Sequence, residues 1–281
     1  AFTGSREVGL DIIEAAGRTG ELQSGVKKVV CEMGGKNAVI IDSSADLDEA
    51  VLGVRYSAFG FQGQKCSACS RCIVVDPEGP SGDATKLFME RLIESTRSLI
   101  IGDPTHPGTD VGPVIDAAAK HAIEQYIEQG KREATLELEM EIPEGLEEKT
   151  GRHYVAPHIF SGVTMNHVIG SEEIFGPVLG VFHARSFEEA LEIANSSPYK
   201  LTGGVFTRKP AHIEIAKQDC RVGNLYINQK CTGAVVARQP FGGAGMSGIG
   251  TKAGGKDYLM HFTDPRACCE NTLRSGFAPE L

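Results

Sequence analysis

Cys66, Cys69 and Cys72 stand three residues apart in the stretch FGFQGQKCSACSRC, residues 59–72. Such a run can clip a metal, supply a nucleophile, or do no chemistry at all and pack as small apolar groups. A ferredoxin-type iron–sulfur pattern needs a fourth cysteine, followed by proline, at the place where this chain has Asp76, and the next cysteine is Cys220. No metal site is therefore expected. Cys72 lies in the apolar run CIVVD and suits a buried position. Cys66 differs, because Gly60, Gln62, Gly63 and Gln64 bring the chain to it through small and flexible residues. The SACS segment that follows it reads as the start of a helix, whose exposed N–H groups would favour a thiolate. Both readings of the cysteines, nucleophile and packing, stay open at this level.

The elements that must position these residues alternate between strand and helix, the mark of an α/β fold. KKVVCEM and NAVIID read as short β-rich runs on either side of a Gly34-Gly35 turn. Asp46 caps a helix, Asp83 starts another, and Asp116 opens one that should stop at Gly130. LELEMEI (136–142) alternates strictly and predicts a half-exposed strand followed by an acidic, solvated loop. GPVLGVFHA, LTGGVFT and VGNLYIN read as strands, separated by the helices SFEEALEIAN and PAHIEIAKQD. FTGSREVGLDIIEAAG looks like a strand end followed at once by a helix, so the chain is expected to be the later part of something longer.

Composition narrows the function classes. A formal net charge of −9 argues against nucleic acid or an anionic membrane as partner. No apolar run reaches the ~20 residues needed to span a bilayer, and the first residues lack the pattern of a signal peptide. Eight cysteines without any sign of export predict reduced thiols and a cytoplasmic location. Adjacent Cys268 and Cys269 are expected at the surface or in packing, and none of the eight histidines pairs with another at metal spacing.

Five segments taken together resemble the aldehyde dehydrogenase superfamily. FGFQGQKCSACSR is similar to its catalytic-cysteine segment, and CEMGGKNAVI to its glutamate motif, with Glu32 and Cys66 34 residues apart. FTGSREVG at 2–9, EEIFGPV at 172–178 and PFGGAGMSG at 240–248 follow the family's order. The resemblance implies an aldehyde dehydrogenase-like three-layer α/β fold, with a catalytic domain and an incomplete Rossmann-type cofactor domain. It places the remnant of the NAD-binding domain at 1–34, the catalytic domain at 35–248, and a return segment with an oligomerisation strand at 249–281.

It also implies roles. Cys66 would be the nucleophile and Glu32 the general base that activates water. The Cys66 N–H would serve the oxyanion; the family's asparagine for that task is expected upstream of residue 1. Gly4, Ser5 and Gly9 resemble the turn that lays a pyrophosphate at a helix N-terminus. Glu173 resembles the residue that holds the nicotinamide ribose, and Phe175 the one beside the ring. NAD is the implied cofactor, and a homo-oligomer is the implied state of the complete protein.

GFQGQKCSACSR, YINQKCTGAVVARQPFGG and SGIGTKAGGKDYL look like the family members that oxidise L-glutamate γ-semialdehyde in proline breakdown. On that resemblance Ser67, Ser247 and Gly248 would anchor the small-molecule aldehyde substrate. Ile249 stands where a small threonine is usual, and Cys231 is also a departure. The alternatives are another NAD(P)-dependent aldehyde dehydrogenase, such as a succinate-semialdehyde type, or an inactive fragment or interaction module needing an upstream half.

Overall fold

The computed structural model describes residues 1–272. Strand β1 (Phe2–Thr3) leads straight into helix α1 (Arg6–Gly17). Ser5 caps α1 by accepting from the Val8 N–H at 3.4 Å, so the strand-end-and-helix reading holds. Next come β2 (Cys31–Glu32), β3 (Asn37–Ile41), α2 (Leu47–Phe59) and β4 (Cys69–Val75). Asp46 caps α2 by accepting from the N–H groups of Asp48 and Glu49. Helices α3 (Asp83–Arg97) and α4 (Ala117–Glu133) precede β5 (Thr135–Glu139), the short α5 (Leu146–Thr150) and β6 (His158–Ser161). Then follow α6 (Val168–Ser171), β7 (Val178–Ala184), α7 (Phe187–Asn195), β8 (Tyr199–Lys200) and β9 (Thr202–Phe206). Helix α8 (Pro210–Asp219), β10 (Asn224–Ile227), β11 (Ala244–Gly245) and β12 (Gly248–Ile249) complete the series.

The main sheet has seven strands in the order β10-β9-β3-β4-β7-β6-β5, parallel except where β5 meets β6. Its central strands β3, β4, β7 and β9 are buried on both faces, as parallel strands covered by helices must be, whereas the edge strand β5 alternates leucine with exposed glutamate. Ala38 and Ile40 point into one core layer with Phe187, Leu191 and Ala216 of α7 and α8. Val39 and Ile41 point into the other, with Val51 and Val54 of α2 and Phe88 and Leu92 of α3. That alternation gives the three layers. Within the second layer α2 lies so close to the sheet that a Cβ at Gly53 would stand 2.4 Å from the tip of the buried Phe206 ring. Gly53→Ala should lower stability by about 1–3 kcal/mol, read from the urea midpoint. An unchanged midpoint would show that the layer can give way there.

A smaller sheet, β1-β2-β12, pairs Thr3 with Glu32 in parallel and Gly248 with Glu32 in antiparallel register. The Gly34-Gly35 turn therefore joins two different sheets rather than two strands of one. The boundary expected at residue 248 falls within β12.

Four expectations need correction. Helix α4 does not stop at Gly130 but runs to Glu133, because Gly130 is buried against Phe160 and Ile169 rather than ending the helix. The strand expected over 136–142 ends at Glu139, after a register shift between Leu136 and Leu138. Part of the acidic stretch behind it forms α5, and Glu147 pairs with Lys120 at 2.8 Å. No helix follows Cys66: its segment is a turn, and β4 already begins at Cys69. Cys268 and Cys269 are exposed, while the end of the expected oligomerisation strand, 273–281, lies outside the described residues.

Candidate active site

The turn that carries Cys66 is fixed to the main sheet by one side chain. Asn37, at the start of β3, donates through Nδ2 to the carbonyls of Cys66 at 2.7 Å and Ala68 at 2.8 Å. Its Oδ1 accepts from the Thr202 N–H of β9 at 2.9 Å. All three bonds of this buried amide are thus spent on position. Just upstream, Phe61, Gln62 and Gly63 hold φ of 56°, 57° and 65° in succession. Two of these are not glycine, so the approach to Cys66 stores backbone strain.

The partly buried Cys66 opens on a cavity of about 900 Å³. Gly4 and Ser5 at the N-terminus of α1, Glu173 and Phe175, and Ser67 with Thr232 all contribute to its wall. Burial pushes the Cys66 thiol up from its ordinary range, and the carboxylates of Glu173 and Glu32 push it further. The N–H groups of Ser67 and Cys66 itself pull the other way. The expectation of a thiolate favoured by a helix N-terminus is therefore reversed, since the turn supplies two N–H groups and no helix. Among the described residues the Cys66 N–H donates to no backbone carbonyl, which leaves it available to an oxyanion.

Glu32 is not on the cavity wall itself. Its carboxyl lies by Gly242, accepts from the Gly243 N–H, and feels the Lys252 ammonium. Oε2 is buried and has no hydrogen-bond partner. Burial raises its pKa to about 7 against the opposing pull of Lys252 and the N–H. A carboxyl poised there can exchange a proton at neutral pH.

Glu173 accepts from the Gly35 N–H at 2.8 Å, and burial raises its pKa. Its contact with the chain is so close that a Cβ on Gly34 would stand 1.8 Å from Oε2. Phe175, at φ 56°, stays partly exposed on the same wall. Gly9 is buried on α1, with Met33 Sδ 2.5 Å from where a Cβ would be, so glycine here lets the helix approach β2. Gly4 and Ser5 present the start of a twelve-residue helix to the cavity, where a phosphate group is favoured. These residues fit a dinucleotide.

The expected substrate anchors part company. Ser67 is on the wall, with Oγ 2.7 Å from Thr232 Oγ1. Ser247 is fully buried, its Oγ accepts from the Lys200 N–H at 3.0 Å, and its carbonyl accepts from Met33. Gly248 pairs with Glu32 on the small sheet. Neither contributes to the cavity wall; both support the strand that carries Glu32. Thr232, Gly233 and Ala234, which lie in the YINQKCTGAVVARQPFGG segment but gain no role from the sequence, do line the cavity. Cys69 and Cys72 are buried core residues. Among the described residues no group of three or more His, Cys, Asp or Glu side chains is placed to hold a metal ion.

A model of the aldehyde dehydrogenase family matches residues 1–268. The 1-pyrroline-5-carboxylate dehydrogenase of Geobacillus thermodenitrificans (strain NG80-2) is 47% identical over 260 residues, 92% of this chain and 48% of the relative. That of Bacillus subtilis (strain 168) is 45% identical over the same shares. Proline utilization A from Bdellovibrio bacteriovorus matches with a TM-score of 0.91 at 47% identity, covering 100% of this chain and 28% of that one. A Thermus 1-pyrroline-5-carboxylate dehydrogenase with bound NAD matches with a TM-score of 0.84 at 45% identity, covering 93% of this chain and 48% of that one. The chain spans about half the length of the curated relatives it matches.

Proposed function

Because the chain belongs to the aldehyde dehydrogenase family, we propose that it carries the catalytic machinery for NAD-dependent oxidation of L-glutamate γ-semialdehyde to L-glutamate in proline breakdown. The observation that carries this reading is the Cys66 sulfur at a cavity of about 900 Å³ that Glu173 also lines, with two N–H groups directed at the sulfur and Glu32 acting on it electrostatically from off the wall. The names of relatives at 45–47% identity support the substrate.

In this reading the Cys66 sulfur, once deprotonated, adds to the aldehyde carbon, and the carbonyl electron pair moves onto oxygen. The Cys66 N–H donates to that oxygen. NAD, held by the residues named below, would supply the acceptor for the hydride that leaves the carbon. Cys66 is then left holding the acyl group as a thioester. Glu32 takes a proton from water, the water oxygen bonds to the thioester carbon, and the C–S bond breaks with its electrons returning to sulfur. Glu173, Phe175, Gly4, Ser5 and Gly9 hold the cofactor. Ser67 and the 232–234 loop hold the far end of the substrate, with Ser247 and Gly248 steadying the Glu32 strand.

We assign residues 1–34 to the end of the cofactor domain, 35–248 to the catalytic domain, and 249–281 to the return segment of a cytoplasmic homo-oligomer. No helix among the described residues is long and apolar enough to cross a membrane. The test is a substrate panel read by NADH formation, with this chain carried in a protein of the full length its relatives have. Glutamate semialdehyde should exceed succinate semialdehyde and propanal in kcat/KM by about tenfold or more. Equal use of succinate semialdehyde would overturn the substrate assignment and leave the dehydrogenase in place.

A further inference from the structure

Lys65 adjoins the nucleophile and contributes to the wall of its cavity. Its Nζ lies 5.8 Å from the ring centroids of both Tyr56 and Phe61. Lys230 approaches the same Tyr56 ring more closely, with Nζ 4.0 Å from the centroid. Nζ of Lys230 also comes within 3.9 Å of where a Cβ on the cavity residue Gly233 would stand. Two ammonium groups from chain segments 165 residues apart thus share one aromatic platform beside the cavity. Among the described residues neither forms an ion pair or a hydrogen bond.

The platform matters because of what it leaves undone. A carboxylate partner would hold a lysine in place and cancel its charge. An aromatic face holds it through its quadrupole and leaves the positive charge in full. The surroundings make that charge useful. The chain carries a net charge of −9, and the Glu173 and Glu32 carboxylates, after burial, add to the upward push on the Cys66 thiol. A carboxylate moving toward Cys66 meets the same repulsion. Two uncancelled cations beside the cavity offset it.

We propose that Lys65 and Lys230, held on Tyr56, form an electrostatic collector that selects carboxylate-bearing aldehydes for Cys66. This rests on the reading of Cys66 as the aldehyde-reactive group and adds the class of substrate the entrance favours. It acts on the carboxylate alone, so recognition of an α-ammonium belongs to groups deeper in the cavity.

The test compares two alkylating reagents of nearly equal size, anionic iodoacetate and neutral iodoacetamide, with modification of Cys66 followed by peptide mass spectrometry. The informative quantity is the ratio of their rates at Cys66. In the K65M/K230M double variant the ratio should fall about tenfold. Raising salt from about 0.05 M to about 0.5 M should lower the ratio in the unmodified chain and raise it in the variant, where only the repulsion by the carboxylates is left to screen. The K65R/K230R variant keeps the charge and should keep the ratio, which separates loss of charge from loss of structure. An unchanged ratio in K65M/K230M, or an equal fall in K65R/K230R, would overturn the proposal. Alkylation needs no cofactor and no turnover, so failure of the dehydrogenase reading appears separately, as absent NADH formation with every aldehyde.

Discussion

Cys66→Ala should abolish NADH formation from glutamate semialdehyde, lowering turnover by on the order of 10⁴-fold or more. The size of the effect follows from the lack of a substitute. Cys69 and Cys72 are buried in the core, so neither thiol can take over. A water molecule in the vacated space would have to attack the aldehyde without a covalent intermediate to divide the barrier. Folding should survive, because the turn is held by Asn37 through the backbone carbonyls of residues 66 and 68 and not through the sulfur. Circular dichroism and the urea midpoint should accordingly match the parent. The comparison variant is Cys72→Ala, which should cost stability through its buried site and leave the chemistry per folded molecule intact. Retained turnover in Cys66→Ala would remove the nucleophile from the mechanism.

Glu32→Gln should separate the two halves of the reaction. Addition to Cys66 and the first equivalent of NADH should persist as a burst, while steady turnover falls by about 10²–10⁴-fold, because no carboxylate remains to take the proton from water. The pH dependence follows from the raised pKa of about 7. Only the ionised carboxylate can act as the base, so the hydrolytic step gains rate as pH rises through that value. Its ionised fraction grows roughly tenfold from about pH 6 to about pH 8, and the rate should grow with it. The glutamine variant should lose this limb. Lys252→Met removes the cation that favours the ionised form, so its profile should move to higher pH. A parent profile flat across neutral pH, with Glu32→Gln fully active in the steady state, would assign the base elsewhere.

Much of this site is legible in the sequence because its chemistry is local. The motifs around Glu32 and Cys66 and the Ser5 cap each need only a few neighbouring residues. What the sequence obscures depends on distant partners. SACS has the small residues of a helix start, but β4 begins at Cys69 because β3 and β7 lie on either side of it to receive its ladder. KKVVCEM and NAVIID read as β-rich runs around one turn with nothing to name their partners, and β2 finds its own in residues 2–3 and 248–249. Ser247 sits within a family motif, but the Lys200 N–H decides where its hydroxyl points. Thr232 reaches the cavity through a partner, Ser67, that lies 165 residues earlier in the chain. Periodicity carries no trace of such a meeting.

The bonds made by Asn37 limit which sequences can keep this site. Its position asks for one acceptor and two donors on a two-carbon side chain, and asparagine is the side chain that meets this. Aspartate would turn an acceptor toward two carbonyl oxygens, and serine would fall short of three partners. Mutational drift can therefore reach most of β3 but finds a single letter tolerated at its first residue, so variation here should be filtered one residue removed from any reacting atom.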